Sequence, residues 1–130
     1  MKRNIAILGT LNTKGQEVSF IKRFIEAQGN STTVIDVGAL GPPLFDPDVS
    51  NEEVAKLGGW ELSTLLQTAN RDRIMEVMGE GAARFLLNLF RDGRLDGVLG
   101  LGGNQGSAIA AMAMKALPFG FPKYLVSTVA

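Results

Sequence analysis

The chain is expected to fold as a three-layer α/β domain: a parallel sheet in the strand order 2-1-3-4 with helices on both faces. Three observations support this. Short apolar runs alternate with segments of helical period, as in a parallel sheet linked by helical crossovers. Two of the runs, Asn4-Ile-Ala-Ile-Leu-Gly9 and Asp96-Gly-Val-Leu-Gly-Leu-Gly102, pass straight into glycine-bearing loops that open helices. At 130 residues the chain is most simply one domain, residues 1–130, large enough to bury about two-thirds of its unfolded surface. Right-handed crossovers then place the first and third strands side by side with their following helices on opposite faces, the Rossmann-like arrangement.

The first strand, residues 4–9, is a continuous apolar run, as suits a strand buried on both faces. Thr13 and Gln16 stand at capping-box spacing, so Thr13 is the expected N-cap of the first helix. That helix runs to about Gln28, with Val18, Ile21, Phe24 and Ile25 on its apolar face and Gly29 at the C′ position. Residues 31–37 are rich in β-branched side chains and form the second strand. Residues 38–48 hold Gly38, Gly41, Pro42, Pro43 and Pro47, cannot be regular structure, and are expected to be mobile. Ser50-Asn-Glu-Glu53 is a second capping box, opening a short helix that stops at Gly58-Gly59. Residues 60–69 read either as a helical turn carrying Trp60, Leu62, Leu65 and Leu66 or as a cover over a cleft. The whole excursion, residues 38–69, is longer than a usual connection and marks a functional loop or a partner surface.

Asn70 is the expected N-cap of the longest helix. Ile74, Val77, Met78, Phe85, Leu86, Leu89 and Phe90 trace its apolar face, and Gly93 ends it. Gly79 and Gly81 inside it each cost roughly 1 kcal/mol relative to Ala. Packing against the sheet is the preferred reason for them, with close approach of a partner subunit as the alternative. After the third strand, the helix from about Asn104 to Leu117 is apolar almost all round and should be covered on more than one side, its methionines serving as core filler. Pro118 and Pro122 bracket a turn, and residues 123–129 make the fourth strand.

Composition narrows the chemistry. Lys plus Arg equals Asp plus Glu at 13 each, which gives no electrostatic argument for nucleic acid. There is no cysteine and no histidine, which excludes disulfides, thiolate nucleophiles, histidine-based triads and ordinary zinc sites. A metal would have to be a hard cation held by oxygens, such as magnesium. No apolar run approaches the roughly 18 residues needed to span a membrane, so a cytoplasmic protein is expected.

The candidate binding residues cluster at the switch point between the first and third strands, where open α/β sheets hold ligands. The first loop offers Gly9, Thr10, Asn12, Thr13 and Lys14: donors and one cation near a helix N-terminus. The second offers Gly102, Gly103, Asn104, Gly106 and Ser107, where backbone N–H groups and the helix dipole favour an anion. Asp36, near the end of the second strand, is placed to accept from ribose hydroxyls, and Ser127 and Thr128 fall near the end of the fourth. Each has a plainer reading. The glycines can simply make tight turns, Lys14 can be a solvated lysine, and Asp36 can cap a loop. The first loop has neither the G-x-G-x-x-G spacing nor the lysine placement of a P-loop.

Several segments together resemble one family. Gly9-Thr-Leu-Asn-Thr-Lys-Gly15, Ile35-Asp-Val-Gly38 with Gly41-Pro-Pro43, Gly81-Ala-Ala83, Asp96-Gly-Val, Gly100-Leu-Gly-Gly103 and Val126-Ser-Thr-Val-Ala130 are similar to the N-terminal ATP-binding domain of the tomato mosaic virus resistance protein family. The resemblance covers nearly the whole chain, in family order. It implies a nucleotide-binding domain taking ATP, with or without Mg2+, normally followed by a larger C-terminal domain. Its plant member restrains viral RNA replication by binding the viral replication protein, and most members lack an assigned activity. This chain carries Asn12 where the family commonly has aspartate, which removes one carboxylate available to magnesium or ribose, and it stops at the end of a strand, as a fragment would.

The expected function is therefore a nucleotide-binding module with little catalysis of its own. Two alternatives stand beside it. One is half of an enzyme site for a small phosphorylated or carboxylated metabolite, completed by a further domain. The other is an interaction domain that grips a protein partner through residues 38–69, with nucleotide as a structural ligand. Assembly as a homo-oligomer is left open.

Overall fold

A computed structural model describes residues 2–127. The elements run β1 (Asn4–Gly9), α1 (Leu11–Ala27), β2 (Ser31–Asp36), α2 (Asn51–Leu57), α3 (Leu62–Thr68), α4 (Arg71–Arg91), β3 (Gly97–Gly102), α5 (Asn104–Met114) and β4 (Lys123–Ser127). The strands form one parallel sheet in the order β2-β1-β3-β4, as the alternating pattern predicts. β1 and β3 are neighbours, with Ile7 opposite Leu99 and Gly9 opposite Leu101.

Side-chain alternation along the strands builds two cores. Ile7, Val34 and Leu101 point to one face, where they meet Leu11 and Val18 of α1. Ala6, Leu8, Ile35 and Val98 point to the other, where they join residues of α2, α3, α4 and α5 such as Val54, Leu65, Leu86 and Ala110. The helices after β1 and β3 thus lie on opposite faces, and the mouth of the domain opens at the carboxyl ends of those two strands.

Several element boundaries shift from their expected places. The α1 helix begins at Leu11 with Thr10 as N-cap, not at Thr13, and is kinked at Lys14, whose φ of −119° and ψ of 20° are not helical. The Thr13 hydroxyl lies 2.7 Å from that of Thr10 instead of capping the helix. Phe24, expected on the buried face, is 59% exposed, because Val18, Ile21 and Ile25 already form the narrow stripe that meets the sheet. Residues 60–69 resolve into the turn of helix α3. Both predicted helix starts that carry side-chain caps are present: the Ser50–Glu53 box and Asn70, whose Oδ1 accepts the Arg73 N–H at 2.8 Å.

Residues 38–48, expected to be mobile, are tied down at several points. The Leu44 N–H donates to the Leu11 carbonyl at 3.2 Å. Asp48 Oδ2 accepts the Val34 N–H at 2.7 Å. Asn51 Nδ2 donates to the Gly38 carbonyl at 2.8 Å. These bonds lay the segment beside β2 and over the start of α1, and its first residues, Gly38, Ala39 and Leu40, line the mouth.

The mid-helix glycines of α4 serve its packing against α2 and α5, not against the sheet. A Cβ on Gly81 would collide with the Val54 carbonyl oxygen of α2, and one on Gly79 with Met112 of α5. The two glycines let α4 sink between its neighbours, and the packing gained offsets their weak helix propensity.

Candidate functional site

The two glycine loops meet. A Cβ on Gly106 would lie 3.3 Å from Thr10 Cγ2, so the start of α5 touches the start of α1. Around this contact a cleft of about 500 Å³ opens. Such a volume falls in the range of small-ligand sites.

Of the residues singled out in the sequence, Thr10, Asn12, Thr13, Lys14, Gly103, Asn104 and Gly106 line the cleft together. The others sit behind or beside it. A Cβ on Gly9 would fall 2.7 Å from Val18 Cγ2, and one on Gly102 would fall 2.7 Å from Gly106 Cα, so these glycines permit close helix–strand packing. Ser107 donates its hydroxyl to the Gly102 carbonyl at 2.9 Å, which pins the turn into α5. Ser127 pairs in register with Gly102 at the end of β4, away from the cleft lining. Thr128 lies outside the described residues.

Asp36 is beneath the floor of the cleft, only 2% exposed. Its Oδ1 accepts two backbone N–H groups, from Leu11 at 3.2 Å and Gly38 at 3.0 Å. One carboxylate oxygen thus fastens the first turn of α1 to the exit of β2. Burial pushes its pKa up, and the bonds from Gly38 and Leu11 oppose that shift without cancelling it.

Sequence reading missed the opposite wall. Val37, Ala39, Leu40, Ile74, Met75 and Ile109 make an apolar side, and Arg71 and Gln105 add polar groups. Arg71 was foreseeable. A helix that feeds a parallel strand runs antiparallel to it and therefore begins at the carboxyl end of the sheet. α4 feeds β3, so its first turn had to reach the mouth. Met75, which the sequence reading did not single out, packs against the core and also lines this wall.

The arrangement can hold an anion beside an apolar group. α5 opens on Gly103 without a side-chain cap and carries no acidic residue in its first turn. The backbone N–H groups of that turn have no intrahelical acceptor. α1 likewise has no acidic residue in its first turn, whereas α2 has Glu52 and Glu53 there and α4 has Asp72. Among the described residues no group of three or more His, Cys, Asp or Glu side chains is placed to hold a metal ion. No described helix is long and apolar enough to cross a membrane.

A sheet of this order with a two-loop cleft at its switch point defines a Rossmann-like α/β domain. The chain belongs to the uncharacterised protein family UPF0261, whose N-terminal domain matches residues 3–130. It is 44% identical over its whole length to a UPF0261 protein of Clostridium tetani, of which it covers 32%. It is 36% identical over 126 residues to one of Brucella suis, covering 97% of this chain and 30% of that protein. The tomato ToMV susceptible protein tm-1(GCR26) is more distant, at 25% identity over 95% of this chain and 18% of the tomato protein. The family to which the segments above point is therefore UPF0261 first, with the tomato protein as a remote relative. The chain spans about a third of the length of the bacterial relatives it matches.

Proposed function

We propose that this domain binds a nucleotide, ATP by preference, in the cleft between residues 9–15 and 102–107. The observation that carries the reading is the meeting of two loops some 90 residues apart in sequence at one cleft on the switch point, where Thr10 lies against Gly106. Lys14 and the uncapped start of α5 suit phosphates. The apolar wall of Val37, Leu40, Ile74, Met75 and Ile109 suits a base. Asp36 acts through Leu11 and Gly38, setting the shape of the first loop. The resemblance of the motifs to an ATP-binding domain supports the choice of ATP. Bound, the nucleotide would supply charge and a flat apolar surface. The protein's part is to orient the phosphates and to cover the base.

Isothermal calorimetry with ATP tests this. One ATP per chain, with adenosine weaker, is the expected result. No saturable binding at about 1 mM ligand would end the nucleotide reading.

A second reading is favoured by length. The bacterial relatives are about three times as long, so the cleft can be half of a site for a small phosphorylated or carboxylated metabolite, completed by the remainder of such a protein. A metabolite panel assayed on the longer relative and on this domain separates the two: turnover by the longer protein alone favours the shared site.

A further inference from the structure

We infer that Arg71 is a second phosphate-binding cation of the cleft, and that Lys14 and Arg71 together take the phosphate chain as a polyanion without a divalent metal ion, an inference that rests on the nucleotide reading above. The two cations reach the cleft from different walls, Lys14 from the kinked start of α1 and Arg71 from the first position of α4. Neither side chain has an ion-pair or hydrogen-bond partner among the described residues.

The contrast with Arg73 is informative. Two residues along the same helix, Arg73 pairs with Glu76 at 3.1 Å and stands 5.8 Å from the Trp60 ring centre. Its charge is already matched within the helix. The charge of Arg71 is not: Asp72 beside it forms no ion pair and is not part of the lining. No Asp or Glu lines the cleft among the described residues. The protein as a whole is neutral, with 13 basic and 13 acidic residues, so two unmatched positive charges facing one cavity are a local feature.

An arginine fork grips phosphate oxygens bidentately, and a lysine adds a mobile point charge. A pair of them on two walls fits an anion with charge spread along a chain, a nucleoside di- or triphosphate, better than a monophosphate. Ile74 and Met75, three and four residues after Arg71, lie on the same face of α4 and also line the cleft. One helix start therefore offers a cation for phosphate and an apolar surface for the base. Magnesium in nucleotide sites neutralises phosphate charge and is commonly held by a carboxylate. Here the two cations supply that neutralisation themselves.

The test is calorimetry on the 130-residue chain with ATP, AMP, adenosine and tripolyphosphate, each with EDTA and with excess MgCl2. Circular dichroism first checks that Arg71→Ala, Arg71→Lys and Arg73→Ala fold like the parent. Arg71→Ala should weaken ATP and tripolyphosphate on the order of tenfold or more and leave adenosine within about twofold. Arg71→Lys should recover part of the loss, and Arg73→Ala should bind ATP like the parent. ATP should bind at least as well in EDTA as in magnesium. ATP binding that requires magnesium, or that ignores Arg71→Ala, overturns the inference and leaves the nucleotide reading standing. Tripolyphosphate bound in an Arg71-dependent way without any ATP binding does the reverse: it upholds the paired cations and removes the nucleotide.

Discussion

The carboxylate of Asp36 accepts the backbone N–H of Leu11 at 3.2 Å from across the mouth of the sheet, and through it β2 sets where α1 begins. The same oxygen takes the Gly38 N–H, so the first loop and the exit of β2 share one anchor. Asp36→Ala should leave both N–H groups without this acceptor and destabilise the fold by about 2–6 kcal/mol, given roughly 1–3 kcal/mol for each buried donor left unpaired. Asp36→Asn keeps a carbonyl oxygen in place and should lose far less. It should also change the pH dependence. Burial holds the Asp36 carboxyl above its ordinary value of 3.8, so the folded protein keeps that proton to higher pH than the unfolded chain does. The contribution to stability then falls as pH rises from 3.8 through the raised folded value, and is level above it. Urea unfolding across that acid range should show the fall in the parent and its absence in Asp36→Asn. The same slope in both proteins would mean that the carboxyl is not perturbed.

Hydrogen exchange should divide residues 38–48 in two. The N–H groups of Leu44 and Asp48 donate to the Leu11 and Val34 carbonyls and should exchange slowly. Ala39, Leu40 and Gly41 have no such bonds, and Leu40 is 60% exposed on the rim of the cleft. They should exchange fast in the free protein and slow when nucleotide is bound. Unchanged exchange at saturating ligand would show that this segment does not cover the base.

Much of this molecule was legible in its sequence, because the features that build a parallel sheet are local. Apolar runs such as Ile5-Ala-Ile-Leu8 and caps such as Ser50 and Asn70 declare themselves within a few residues, and crossover handedness does the rest. Both loops of the candidate site were found the same way. What stayed hidden depends on distant partners. Asp36 looks the same in sequence whether it faces a ribose or the Leu11 N–H. Gly81 reveals nothing of the Val54 carbonyl that lies against it. The wall formed by Arg71, Ile74 and Met75 needed topology as well as pattern, since only the direction of α4 brings those residues to the mouth.

Gly81→Ala should be destabilising despite the better helix propensity of alanine. Propensity offers about 1 kcal/mol in its favour. Against it, the new methyl would collide with the Val54 carbonyl, which is backbone of α2 and cannot swing aside as a side chain could. Overpacking of this kind costs about 1–3 kcal/mol, and here α2 and α4 must separate to relieve it. A net loss of up to about 2 kcal/mol in denaturant unfolding is expected. A gain in stability would show that α2 yields freely.

Lys14→Ala should weaken ATP more than adenosine. Its side chain lines the cleft at the kink of α1 and has no partner among the described residues, so its loss removes a charge-assisted contact without unfolding anything. About tenfold or more against ATP, with adenosine unchanged, is the expected split in calorimetry. Equal losses for both ligands would remove Lys14 from the phosphates.

The chain by itself should bind nucleotide without turning it over. With no histidine and no cysteine, a general base would have to be a carboxylate, a lysine or the tyrosine. No carboxylate lines the cleft among the described residues. Asp36 is buried under two N–H donors, and Asp48 holds the Val34 N–H. Asp46 is exposed and is not part of the cleft lining. Phosphoryl transfer is mostly positioning and charge neutralisation, and it gains rate only from contacts that strengthen in the transition state. Backbone N–H groups at the start of α5, with Lys14 and Arg71, hold the charge of the ground state and of the transition state about equally. Such uniform binding tightens the complex without raising turnover. Steady-state phosphate release from ATP, with and without magnesium, should therefore stay far below the roughly 1 per second of a working kinase. The control is Gly103→Val, which crowds the second loop. Release near that rate, abolished by the control, would put a catalytic group in this domain that the cleft lining does not reveal and would make it an enzyme in its own right.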